Sequence, residues 1–234
     1  MLSDRARRYL ATRQRLPALT DEAAIANKLR EAGVPPLDVF IRFQVEFGGY
    51  VEWYGLNRFV WGIVHDEPDA DSAFEPGKVD GWMEMEEVEK EDEDEFDWPA
   101  EDEEPEKEAR WYVTCADCHI SDHWQLDSRG WLLWCGYPKS TSFENKIERD
   151  AVAWEVGQTA KFREVRFDGP LTEIIPVLVP RIAAGLIPEA SDELSGLYVI
   201  DGLYVSASRD QLYAYVIGDG VPAALDGLPY SLKE

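Results

Sequence analysis

Twenty-five consecutive residues, Glu84 to Glu108, hold sixteen aspartates and glutamates against two lysines, a net charge of −14. Such a segment has too little apolar surface to offset the entropy of ordering it, and its carboxylates repel one another. It constrains the fold before anything else does. Any core must be built from what lies on either side, with residues 84–108 expected as a disordered, solvated insertion. The other 209 residues carry 31 acidic and 21 basic side chains, so more than half of the chain's net charge of −24 sits in this one run.

Two uses fit a run of this kind. It is either a solubilising surface loop or an electrostatic lure for a cationic partner, since dense negative charge speeds the encounter with a basic protein. Phe96 and Trp98 within the run, and Trp82, Met83 and Met85 beside it, are apolar anchors for which a purely solubilising segment has no use. Glu91, Asp92, Asp94, Glu95, Asp97 and Trp98 are accordingly expected to bind the partner. The same charge argues against direct nucleic-acid binding, which needs lysine and arginine against the phosphates.

The remainder is rich enough to fold. Of the 234 residues, 45% are hydrophobic and 12% aromatic, ample for one substantial core or two small ones. The first residues are basic but contain no continuous apolar stretch and no small-residue cleavage site, so no export signal is read. No stretch approaches the apolar length needed to cross a bilayer. Three cysteines, an odd number, do not complete a disulfide framework, and a reducing, cytoplasmic setting is expected.

That setting decides how "YVTCADCHISDHW", Tyr112 to Trp124, is read. Cys115-x-x-Cys118-His119 has the spacing of a c-type haem attachment site, but that chemistry follows export. A zinc site would need two close ligand pairs. Cys115 and Cys118 make one, whereas His119 or His123 with Cys135 makes a poor second. The reading without metal places Cys115 and Cys135 in strands as small hydrophobes. No cofactor and no metal is assigned, and the metal content of the purified protein discriminates between the two readings.

Helices are expected at both ends of the first half of the chain. Ser3 caps one that runs to about Arg15. Thr20 begins another that ends near Gly33, and Pro35-Pro36 start a third that closes on Gly48-Gly49. From Tyr50 the period changes to short aromatic and β-branched runs, "YVEWYG", "RFVWGIV", "RWYVTCAD", "HWQLD" and "GWLLWCG", the mark of a largely antiparallel sheet with the acidic run as a hairpin insertion. Asp127 to Gly130 supply a turn. Ser142 caps a further helix with Phe143, Ile147, Ala151 and Trp154 on one face. The fold class is therefore α+β, a mixed or antiparallel sheet flanked by helices. Residues 1–160 are expected as the core. Residues 161–234 are expected as a C-terminal helix and β-hairpin extension packed on it, with Pro176, Pro180 and Pro188 breaking the helical part into short pieces.

The order "GVPPLDVFIRFQVEFGG", "VTCADCHISDHWQLDSRGWLLW", "STSFENKIERDAVAWE" resembles the SUKH superfamily, the Smi/Knr-type immunity proteins. The resemblance covers about Ala32 to Val156 and rests on the order of short elements. Residues 84–108 and the C-terminal region depart from the compact family core. The resemblance implies a non-enzymatic protein that neutralises a secreted polymorphic toxin in the cytoplasm of the producing bacterium or its siblings. The toxin is often one that attacks nucleic acid, so the partner would be a basic toxin domain whose active site is occluded. It also implies that Asp117 and Asp122 lie at one edge of the sheet, where partner contact and local backbone hydrogen bonding are both open roles.

Two other classes compete with this one. A general acidic interaction or regulatory module without a toxin partner has the same charge pattern, and a neighbouring toxin gene would argue against it. An enzyme is not expected, because no phosphate-binding glycine loop, nucleophile elbow or His-x-x-x-His pair is present.

Overall fold

A computed structural model describes residues 1–54, 57–64, 81–85, 109–117, 123–158, 162–208 and 211–233. In chain order these form α1 (Asp4–Ala11), α2 (Glu22–Glu31), α3 (Asp38–Phe47), β1 (Val51–Tyr54), β2 (Asn57–Val60), β3 (Gly81–Met85), β4 (Ala109–Asp117), β5 (His123–Asp127), β6 (Leu132–Trp134), β7 (Tyr137–Ser140) and α4 (Phe143–Gly157). Then follow β8 (Phe162–Phe167), α5 (Leu171–Ile182), β9 (Ser195–Ile200), β10 (Leu203–Ser208), β11 (Leu212–Ile217) and β12 (Tyr230–Lys233). Among the described residues this is an α+β fold with three sheets whose pairings run antiparallel.

The chain forms two compact units. One comprises Met1–Gln14, Trp131–Leu133 and Tyr137–Glu234, and the other Arg15–Gly130 and Trp134–Gly136.

In the first unit a five-stranded sheet runs in the order β12-β8-β11-β10-β9. Leu203 and Val205 of β10, Ala214 and Val216 of β11 and Val165 of β8 share one face, as their register requires. Leu178 and Ile182 of α5 bury that face. The β9–β10 turn is Asp201-Gly202 with φ of 45° and 77°, the two left-handed positions that let a two-residue hairpin follow the strand twist. This region is thus a complete sheet and not a single hairpin.

Helix α5 also differs from expectation, continuing through Pro176 and Pro180 to Ile182. Each interior proline costs about 3 kcal/mol. Both prolines lie on the exposed face, where a carbonyl deprived of its N–H donor is not sealed in the core. The opposite face buries Ile174, Leu178 and Ile182, and each such side chain contributes about 2–3 kcal/mol, enough to hold the helix together.

Helix α1 packs on α4. Ser3 caps α1 through its Oγ to the Ala6 N–H, while Glu148 of α4 accepts from both the Ser3 N–H and its hydroxyl at 2.6 Å. Arg5 and Arg8 reach Glu155, and the Tyr9 ring meets Trp154.

In the second unit α2 and α3 lead into the β1–β2 hairpin, and β3, β4 and β5 pair in sequence order. The core is aromatic. Phe47, Phe43, Trp61, Trp124, Trp134 and Phe59 form a chain of ring contacts with centroids 4.7–6.4 Å apart.

Candidate partner-binding surface

The position of the acidic run follows from β3 and β4. Their register runs from Gly81↔Val113 to Met85↔Ala109. The chain therefore leaves β3 and re-enters β4 at directly opposed positions, and the two ends of the run are held together at one end of a hairpin. Strand β3, "GWMEM", escapes a reading from sequence because glycine, methionine and glutamate, none of them a strong strand former, surround its single tryptophan beside a charge run. Glu91, Asp92, Asp94, Glu95, Asp97 and Trp98 lie outside the described residues.

Asp117 is the last residue of β4, its backbone paired with His123 of β5. Its side chain, like Asp122, is outside the described part. Eight residues of extended chain, about 26 Å at 3.3 Å each, separate Asp117 from Ala109. The attachment point of the acidic run and Asp117 thus occupy opposite ends of one strand. Between them, at Thr114 to Ala116, the register shifts by a β-bulge, which sharpens the local twist.

Cys115 and Cys135 both make hydrogen bonds within the second unit. Buried Cys115 donates its thiol to the Trp124 carbonyl at 3.4 Å, and the Cys135 N–H donates to the His123 carbonyl at 3.0 Å. Cys135 itself sits at φ 49° in the turn after β6. Among the described residues no group of three or more histidine, cysteine or acidic side chains is placed to hold a metal ion. Cys118 and His119 lie outside them.

One surface anchor carries no mark in the sequence. Strand alternation puts Trp53 on the same face as Val51, which is buried with Val60 and Val64. Trp53 pairs with Arg58 nearer the hairpin tip, beyond that small cluster, and is 61% exposed. An exposed tryptophan is the kind of side chain that carries binding energy at protein interfaces.

The hairpin bearing Trp53 is fixed by one amide. Gln44 of α3 is buried; its Nε2 donates to the Leu19 and Ile63 carbonyls at 2.9 Å, and its Oε1 accepts the Ile63 N–H at 2.6 Å. Gly62, at φ 70°, lies so close that an added Cβ would stand 2.3 Å from Gln44 Oε1. A Cβ on Gly49, at φ 86°, would meet the Leu16 carbonyl oxygen at 2.2 Å. At the end of α3, Gly49 is thus demanded by both backbone angle and space, and Gly48, at φ −55°, by space alone, since its Cβ would stand 2.4 Å from Gln44 Nε2.

A second surface lies on the first unit, on the sheet face away from α5. Helix α4 covers its β9 and β10 end through Val152 against Leu197, with Val156, Val199 and Tyr204 alongside. Further along, Tyr215 meets Tyr204 at 6.1 Å and Phe162 edge-on at 6.2 Å, while Tyr213 is 55% and Phe162 37% exposed. Arg149 of α4 donates to Ser206 at 2.7 Å and to Ser195. Desolvation pushes the Tyr204 phenol up to about 12, with Asp150 and Tyr215 adding to the rise and Arg149 opposing it. A phenol held protonated in this way donates hydrogen bonds and does not act as a base near neutrality. Both surfaces suit recognition.

Compared with protein-family models, with curated proteins and with solved structures, the chain matches none of them. Among the described residues no helix is long and apolar enough to cross a membrane.

Proposed function

We propose that this chain is an immunity protein of the SUKH type, which binds a basic toxin domain in the cytoplasm and occludes its active site. The observation that carries the reading is the acidic run and the placing of its ends. A net −14 is concentrated in 25 residues, and the strands on either side are paired edge to edge at Met85 and Ala109. The chain leaves β3 and re-enters β4 side by side at one end of that hairpin. A toxin that grips nucleic acid needs a groove of lysine and arginine, and a dense carboxylate surface satisfies those cations in place of phosphates. Charge sets the encounter rate, and tight binding needs an apolar centre as well. Trp53 in the same unit is suited to supply it.

The test is capture of partners from native extract by the tagged full-length chain at low and high salt. One stoichiometric basic protein, encoded beside this one and inhibited by it, is the expected result. Many weak partners released together by salt would replace this reading with that of a general acidic interaction module.

A further inference from the structure

Helix α5 shows solvent a face of balanced charge in a chain whose net charge is −24. Its outward residues are Thr172, Glu173, Pro176, Val177, Pro180 and Arg181. This face carries one acid, one base and an apolar centre, Val177, which is 41% exposed. Glu173 and Arg181 stand four residues before and four residues after Val177. Among the described residues neither has a partner of opposite charge; the Arg181 guanidinium donates only to the backbone carbonyls of Ala224 and Asp226.

That arrangement is complementary to itself. When two copies of a helix pack antiparallel about a two-fold axis, a residue n places before the axis faces the residue n places after it on the partner. With the axis at Val177, Glu173 of each copy faces Arg181 of the other, and the two ion pairs lie about 6 Å along the helix on either side of the centre. We propose that this α5 face is the contact of a two-fold symmetric homodimer, centred on Val177 and closed by reciprocal Glu173–Arg181 pairs. A second copy fits better than an anionic membrane surface, which the net charge of −24 would repel. This proposal does not depend on the immunity reading.

Sedimentation velocity of the full chain over a micromolar to high-micromolar series tests it, with circular dichroism and thermal melts confirming that each variant is folded. A reversible monomer–dimer equilibrium is expected, and Val177→Asp should raise the dissociation constant at least about tenfold. Glu173→Arg and Arg181→Glu each place like charges together and should be monomeric alone. Mixed, they restore both pairs in a heterodimer, and recovery of the dimer on mixing is the specific signature of this geometry. A wild-type chain monomeric throughout, a dimer indifferent to Val177→Asp, or folded charge variants that fail to complement on mixing would each overturn the proposal.

Discussion

Gln44 shows how one side chain fixes a local path. Its amide satisfies the Leu19 carbonyl and the Ile63 N–H, and adds a second donor to the Ile63 carbonyl, which also accepts the Leu19 N–H, while Gly62 leaves room for it. Gly62→Ala adds a Cβ at a left-handed φ against Gln44 Oε1, and urea unfolding should show a loss of about 2 kcal/mol or more. Gln44→Leu should cost about 1–3 kcal/mol by leaving the Leu19 carbonyl and the Ile63 N–H unsatisfied. The sequence makes the glycines legible as a helix stop and Gln44 legible only as one member of an apolar stripe. Its partners, Leu19 and Ile63, are 25 and 19 residues away, and no local pattern reveals a bond of that span. Tyr204 carries a prediction in pH. Its folded pKa, about 12, lies above the ordinary 10, so the folded state keeps a proton that the unfolded state loses between them. Stability from this group is whole below about pH 10 and falls as pH rises toward 12, by on the order of 2 kcal/mol. Alkaline unfolding of Tyr204→Phe should lack that loss, whereas an identical alkaline profile in both proteins would place the effect elsewhere.

At the scale of elements, apolar periodicity is enough to place α3 and α4, and aromatic runs place β4 and β5, whereas α1 stops at Ala11 and not near Arg15, and α3 starts at Asp38, past Pro35-Pro36 and without a side-chain cap. The second helix starts at Glu22 with Asp21 as its cap, one residue later than Thr20, because the aspartate side chain reaches the Ala24 N–H. Sequence reads worst where burial overrides local preference. Two prolines argue for a broken helix at α5, yet its inner face of Ile174, Leu178 and Ile182 keeps it whole. Strands β7, β8 and β12 contain proline, charge or serine and draw their order from pairing with neighbours, as β12 does with β8 between Tyr230 and Lys233. Docking of α1 is likewise decided at a distance, by Glu148 receiving both donors of Ser3. Glu148→Ala should cost about 1–3 kcal/mol and speed amide exchange in Asp4–Ala11 while leaving exchange in β9–β11 unchanged. Uniform acceleration across both regions would instead mean that α1 is not a separately released element.

Over the whole molecule, the proposed function makes charge govern how a partner is met. Replacing Glu91, Asp92, Asp94, Glu95 and Asp97 by their amides should slow association with the captured partner about tenfold or more at low salt and much less at high salt. Trp53→Ala should act mainly on the dissociation rate. Association kinetics untouched by the five amides would remove the acidic run from recognition. Apolar and aromatic periodicity along the chain determined the α+β class, because it depends on what a segment can bury or must solvate. Tertiary structure alone decided that the two ends of the acidic run meet at Met85 and Ala109, that Asp117 stands at the far end of the same strand, and that α1 belongs with the C-terminal sheet. Those outcomes rest on pairings between residues far apart in sequence, whose free energy appears only once the chain has closed the loops between them.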